Sequence, residues 1–422
     1  MKDTDKIPSI GVFPGFFDIG ETYPLLKIAE NYEHLGGKVF VYSHGGEYED
    51  IANDSGFNIK RIQPIASGPD VTRYFIQKND EEIIDLIKNQ KDVFTKDNIA
   101  ALIQTSSYLD CILSANYAKI PVISVISGTL STPFFQAKYA TFPDNMESYI
   151  TKIIPGFIKN RITNWHTLHY KGPVTRKFNR LAEKLGIEKN FRYFQDIRSG
   201  DYTLISDDKE FLGLSYNKEF PNGNFIGPIL SDDLLNTKNK PDPELEKHLK
   251  QWDKSILLTM GSSKIMKSLF SDILDILNDT DYGVIATYTS FFDENNLPKV
   301  NSNILLKKFI PNISEINKKV DLAIIHGGRG TVYNAAFSGK PSIGYPLNGE
   351  QQFNIDSIVR HESAIRLSKT FFDKKKLLYT INDIFENYEF YLENAKKLSK
   401  KLQPSDGGKK AASRILKIVK SQ

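Results

Sequence analysis

Apolar residues in the first half of the chain fall into short runs of strand length, at 9–13, 38–42, 58–62, 100–104, 122–126 and 202–206. Between several of these runs the apolar spacing lengthens to the helical period, as at 23–35 and 81–91. Strands alternating with helices predict βαβ units, hence a mostly parallel sheet covered on both faces. The rhythm lapses over 128–200, which predicts an insertion of helices and loops within a first domain spanning 1–227. A polar, Pro- and Asn-containing stretch and a short charged helix at 228–253 have linker chemistry. A second series of strand-like runs follows at 255–260, 283–288, 304–309, 321–325 and 342–344, predicting a second domain at 254–422. Its final helix is a candidate to pack back on the first domain. The expected fold class is α/β, two Rossmann-like doubly wound domains facing a central cleft. A chain of 422 residues is too long for one ordinary domain and comfortable for two. Ligands in such sheets sit at the carboxyl ends of the strands, so both domains are expected to send loops to the cleft.

Composition narrows the picture in three places. The single cysteine, Cys111, lies in an apolar run and excludes an intramolecular disulfide or a Cys-based zinc site. The polar start of the chain lacks the apolar stretch of a signal peptide, and no uninterrupted apolar segment approaches the ~20 residues of a membrane span. A cytoplasmic protein is the expectation. The net charge of +4 does not point to nucleic acid. Its distribution is more telling, because residues 151–200 hold eleven Lys or Arg against three acids, interleaved with Phe157, Trp165, Tyr170, Phe178, Phe191, Tyr193 and Phe194. Two readings stay open: solvated helices with their apolar faces in the core, or a patch facing anionic lipid.

The densest chemistry follows the run 321–325, where the chain reads His326-Gly327-Gly328-Arg329-Gly330-Thr331 and enters a helix at 332–338. Glycines at a strand-to-helix turn let backbone approach a ligand, and the first N–H groups of the helix then form an anion site suited to a diphosphate. Alone, such a turn is weak evidence. It gains specificity from Gly339-Lys340-Pro341, Pro346, Glu350-Gln351 and Asn354 downstream.

This block resembles the donor-binding signature of the UDP-glycosyltransferase superfamily, family 1-like enzymes of the GT-B fold, and of the related lipid-sugar and muramyl-type transferases. Met260-Gly261-Ser262-Ser263, Phe309-Ile310-Pro311-Asn312 and the Gly15–Pro24 loop are similar to further family elements, in the same order. The resemblance implies a nucleotide-sugar co-substrate, no cofactor and no metal. It implies that Phe309 stacks on the base while the Ile310 backbone reads its edge. The backbone of Gly328, Gly330 and Thr331 would hold the diphosphate, with Ser262, His326 and the Thr331 hydroxyl adding side-chain hydrogen bonds; Gly261, Ser263, Gly327 and Arg329 belong to the same donor site, and Asn334 stands at the ribose. Glu350 and Gln351 would meet the sugar hydroxyls; the same pair also reads as an ordinary helix start with a favourable acid.

Two departures stand out. The family's ribose-binding Glu is Asn334 here, and the His of its Gly-His-x-x-Pro loop is Glu21, in Gly20-Glu21-Thr22-Tyr23-Pro24. Glu21 is therefore the candidate general base, with Asp18 second and His44 next in line; an acid that merely begins a helix is the plain alternative for Glu21. The implied activity is inverting, metal-independent transfer of a hexose, from UDP above other nucleotides, to an acceptor hydroxyl. The basic, aromatic segment tilts the acceptor toward a lipid or lipid-linked molecule at the inner face of a membrane. An epimerase of the same architecture and a non-catalytic partner subunit are the alternatives.

Overall fold

In a computed structural model of the chain, the described residues are 6–17, 19–64, 71–105, 107–213, 225–230, 242–261, 264–289, 291–311, 313–402 and 406–422. Asp18, Ser262, Ser263 and Asn312 lie outside them. Two six-stranded parallel sheets organise these residues. The first contains β1 (Ser9–Phe13), β2 (Val39–Ser43), β3 (Ile59–Arg61), β4 (Ile99–Gln104), β5 (Val122–Ile126) and β6 (Tyr202–Ile205), in the spatial order β3-β2-β1-β4-β5-β6. The second contains β7 (Ser255–Thr259), β8 (Gly283–Thr287), β9 (Ile304–Lys307), β10 (Leu322–Ile325), β11 (Ser342–Gly344) and β12 (Ala364–Arg366), in the order β12-β11-β10-β7-β8-β9. Both orders reverse direction beside the first strand of the series, which is the crevice where doubly wound sheets bind ligands. The central strands β5, β7, β8 and β10 are buried throughout, as parallel strands covered on both faces must be.

Strand β12 has no counterpart among the predicted runs. Three residues, Ala364-Ile365-Arg366, are too few to show a period, and the strand exists because it pairs in register with Ser342–Gly344.

The loops at the carboxyl ends of the two sheets meet. Thr129, after β5, donates to Asn354 Oδ1 at 2.8 Å, and the Asp208 N–H, after β6, donates to the Tyr333 hydroxyl at 2.8 Å. Phe211 stacks on Tyr333 with ring centroids 4.1 Å apart, inside an apolar cluster drawn from both halves of the chain, Phe134, Phe135 and Leu212 on one side and Tyr333, Phe353 and Ile355 on the other. The last helix, Gly407–Lys420, crosses to the first sheet, where Ala411, Ala412 and Ile415 join the core beneath the helix Ile19–His34. Residues 128–200 fold as short helices, and the turn at 141–147 binds the second domain closely. Gln352 donates to the Phe142 carbonyl and accepts from the Asp144 N–H, while Arg366 pairs with Asp144 and Asp356.

Candidate active site

The glycine turn sits at the end of β10. Gly328 is the N-cap of the helix Arg329–Ser338 and provides no side chain to cap it, so the first N–H groups of that helix lack both an intrahelical and a side-chain acceptor. The neighbouring strand β7 ends at Thr259, and two residues on stands Gly261, whose φ of +68° favours glycine. His326 is wedged between these two backbones. A Cβ on Gly261 would lie 2.6 Å from its Nε2, and one on Gly328 only 2.5 Å away. Burial pushes the imidazole pKa down to about 4, against the weaker opposing pull of a hydrogen bond with the Thr259 backbone. The ring is therefore neutral at physiological pH. Asn354 secures the turn, donating to the Gly327 carbonyl at 3.1 Å while accepting from Thr129.

Other sequence-nominated residues lie on segments that follow the strands of the same sheet at its carboxyl end. Phe309, two residues beyond β9, is 59% exposed, an open ring face at the sheet's carboxyl edge, whereas Ile310 is buried. Asn334 is nearly buried on the helix after the turn. Glu350 and Gln351 lie in the first turn of the helix Gly349–Val359, capped by Asn348. Gln351 Oε1 accepts from the Leu347 N–H at 2.8 Å, which orients the amide and leaves its NH2 to donate to a ligand.

Two assignments need correction in detail. The Arg329 side chain is directed at the first domain, where its guanidinium donates to Ser206 Oγ and sits near the buried Asp207, whose pKa burial raises against the arginine's pull. Only the Arg329 backbone can belong to a diphosphate cradle. The Thr331 hydroxyl donates to the Gly328 carbonyl at 2.7 Å, so its proton is engaged and the donor Thr331 retains is its first-turn N–H.

On the opposing domain, Glu21 is the third residue of the helix Ile19–His34. Its carboxylate folds back over the Gly15 turn, with Oε2 2.9 Å from where a Gly15 Cβ would stand, and accepts from Ser107 Oγ at 2.7 Å. Ser107 follows β4, so two strand-end loops of the first sheet converge on this carboxylate. Asp18 falls outside the described residues.

His44 does not face the cleft. It is 1% exposed, its Nδ1 lies 3.0 Å from the Ile62 carbonyl and its Nε2 lies 2.9 Å from Asp110 Oδ2. Burial works to raise the Asp110 pKa, but the His44 charge and hydrogen bonds from His44 and Gln90 outweigh it and hold the carboxyl below its usual range. Both ring nitrogens are occupied, which removes His44 as an acceptor-side base. Cys111 Sγ lies 3.6 Å from His44 Nε2 in the same buried group, its thiol pushed up by burial. These three are the one trio of metal-ligating type among the described residues, and they lie in the core beneath the Glu21 loop.

Sequence reasoning missed Ser107, Gln352 and Arg198. Arg198 comes from the helix Phe194–Ser199; burial lowers its pKa, and the charge of Glu350 opposes that shift. Each acts across a long sequence separation, for which no local signal exists.

Comparison with known proteins places this geometry. Residues 255–410 match the glycosyltransferase family 28 C-terminal domain. Over 98% of this chain and 95% of its own, an uncharacterized UDP-glucosyltransferase of Bacillus subtilis (strain 168), YojK, is 24% identical. Among solved structures, the glycotransferase of kitacinnamycin superposes with a TM-score of 0.69 over 98% of this chain and 99% of its own, at 15% identity. The glycosyltransferase VinC, solved in complex with DTDP, gives 0.61 over 98% and 99%, at 14% identity. The protein is a glycosyltransferase of the GT-B fold that transfers a sugar from a nucleotide-sugar donor. Its sequence is similar to UDP-glycosyltransferases, and the glycosyltransferase family 28 match lies in the second half of the chain.

Proposed function

We propose that this glycosyltransferase moves a hexose from a UDP-sugar to a hydroxyl of a lipid or lipid-linked acceptor, with inversion at the anomeric carbon and without a metal. The observations that support the reading are a carboxylate held at the carboxyl end of the first sheet and an uncapped helix N-terminus at the carboxyl end of the second, in sheets whose strand-end loops touch. The name of the Bacillus relative supports UDP as the nucleotide, and the DTDP complex of VinC supports a nucleoside diphosphate in this fold.

In the reaction, the acceptor oxygen attacks the anomeric carbon from the face opposite the diphosphate. Its proton passes to the Glu21 carboxylate as the new C–O bond forms. The bond from the anomeric carbon to the phosphate oxygen breaks, and the nucleoside diphosphate leaves with the bonding pair. Charge growing on that oxygen is met by the N–H groups of Gly328, Gly330 and Thr331 and by the dipole of the helix they begin. The neutral His326 adds no formal charge. Phe309 provides a face for the base, Asn334 a partner for the ribose, and Glu350 with the Gln351 amide a pairing for sugar hydroxyls.

The test is transfer from UDP-glucose to a glycerolipid extract, with NMR of the product. A β-linked product formed equally well in EDTA is expected. An α-linked product, or activity that EDTA abolishes and a divalent ion restores, overturns the mechanism. For the sugar subsite, Glu350→Ala is expected to weaken UDP-glucose binding about tenfold more than UDP binding, the size of a hydrogen bond to a charged group. Calorimetry reads both, and equal losses would make Glu350 a helix-start residue only.

A further inference from the structure

The helix Gly156–His169 is attached to the protein by the wrong face. Its one buried residue is Asn164, which donates to the Ala140 carbonyl and accepts from the Ala140 N–H. Phe157, Ile158, Ile162 and Trp165, which share one arc of the helix at 100° per residue, are instead 74%, 38%, 56% and 62% exposed. Just before it, Tyr149, Ile150 and Ile153 on and after the short helix Tyr149–Lys152 are still more open. A surface helix ordinarily turns such a stripe inward, and contiguous exposed apolar patches mark interaction sites.

The charge around this face is one-sided. From Ser148 to Ala182 the sequence contains no Asp or Glu and seven Lys or Arg. Arg161 lies in the middle of the apolar arc and is itself exposed, its long stem able to lie along the rings while its head reaches outward. The remainder of the basic segment is spoken for. Arg180 and Lys184 pair with Asp80 and hold its carboxyl well below the usual range, Lys177 bonds the Ile76 and Lys78 carbonyls, and Phe178 and Phe191 are buried. The sequence reading of 151–200 as one patch therefore divides. Its second half packs as solvated helices with apolar faces in the core, and only its beginning, extended back to Tyr149, is open.

We propose that the face formed by Tyr149, Ile150, Ile153, Phe157, Ile162 and Trp165 docks the enzyme on an anionic lipid bilayer. The apolar side chains enter the headgroup boundary while Lys152, Arg161 and Lys171 meet lipid phosphates, each basic group contributing about 1 kcal/mol near such a surface. The surface deepens the lipid-acceptor reading and rests on it for its purpose, since docking would bring the membrane to the acceptor side. Position supports that purpose. The 141–147 turn that precedes the face is bonded to Gln352, next to Gln351 and Glu350, and the Lys152 ammonium lies 3.7 Å from the centre of the Phe371 ring on the second domain.

The experiment is sedimentation of the full chain with vesicles of phosphatidylcholine alone, or with about one third phosphatidylglycerol. Binding is expected on the anionic vesicles at least about tenfold above the neutral ones and weakened by salt. The double substitution Phe157→Ser, Trp165→Ser is expected to lower it by at least about tenfold, and Arg161→Glu to reduce the anionic preference. Calorimetry with UDP should be unchanged in both. With Trp252→Phe as background, Trp165 emission should shift to the blue on anionic vesicles alone; the chain has two tryptophans. Failure to bind either vesicle, wild-type binding by the double variant, or a dimer that the double variant dissociates would each overturn the proposal, the last by making a second copy the occupant. Transfer to detergent-dispersed lipid by an enzyme that ignores vesicles would sink the docking face and leave the acceptor reading standing. Vesicle binding through this face without any lipid product would do the reverse.

Discussion

Glu21→Gln is expected to lower turnover by at least about a hundredfold while leaving UDP affinity and thermal stability close to those of the parent protein. Gln keeps the size of the side chain and can still accept from Ser107, so the loop geometry survives. What is lost is the ability to take a proton from the acceptor hydroxyl as the glycosidic bond forms. Ser107→Ala should cost about tenfold, because it releases a carboxylate oriented by one charge-assisted hydrogen bond without removing it. A helix-start role for Glu21 predicts a different pattern, in which Gln lowers the melting temperature and spares kcat. The pH profile separates the two further. Loss of the acidic limb of kcat/KM in Glu21→Gln marks a titrating base, whereas a parallel profile at reduced height does not. Asp18→Asn should have the smaller effect; the reverse ranking would move the base to Asp18, and full activity in both would leave no base in this loop.

How much of this was legible in the sequence depended on the range of the interactions involved. Buried parallel strands such as Val122–Ile126 and Leu322–Ile325 announce themselves as continuous apolar runs, so eleven of the strands of the two sheets were predicted within a few residues. The glycine turn was equally visible, because its chemistry lies in consecutive residues. Contacts made across the chain left no trace. His44 read as a reserve candidate for the base, and only the fold reveals that Asp110 and the Ile62 carbonyl enclose it. Arg329 read as part of the phosphate turn, and only the docking of two domains sends its side chain to Ser206. The helix Gly156–His169 shows the limit of patterning itself. Several of its apolar residues share one arc, but an arc cannot say which face meets the protein, and here a buried Asn164 decides it.

Gly328→Val is expected to raise the dissociation constant for a nucleotide-sugar by at least about a hundredfold, close to 3 kcal/mol. The Gly328 φ of −58° is one that any residue adopts, so backbone strain is not the cause. The added Cβ would stand 2.5 Å from His326 Nε2, displacing the ring and crowding the space before the helix N-terminus. His326→Ala should cost less, about tenfold, since it removes one neutral hydrogen-bonding group and leaves the backbone cradle. Because burial holds His326 near 4, affinity in the parent protein should stay flat from about pH 5.5 to 8, a range in which a nucleotide-sugar's diphosphate does not titrate. A fall in affinity through about pH 6.5 would mean an imidazolium binds the diphosphate. The same low pKa acts on the fold with a definite sign. The unfolded chain takes up the proton first, so stability from the neutral ring is present above about pH 6.5 and is lost as the pH falls toward 4. Gly330 separates a ligand effect from a folding effect. Nothing lies within 4 Å of its would-be Cβ, and it occupies the first turn of a helix, where Ala is favoured over Gly by up to about 1 kcal/mol. Gly330→Ala should therefore leave the melting temperature equal or higher while weakening the donor, because its methyl group projects into the space a diphosphate would fill. A variant that gains stability and keeps full donor affinity would place the diphosphate elsewhere, and the His326 turn would be a structural corner only.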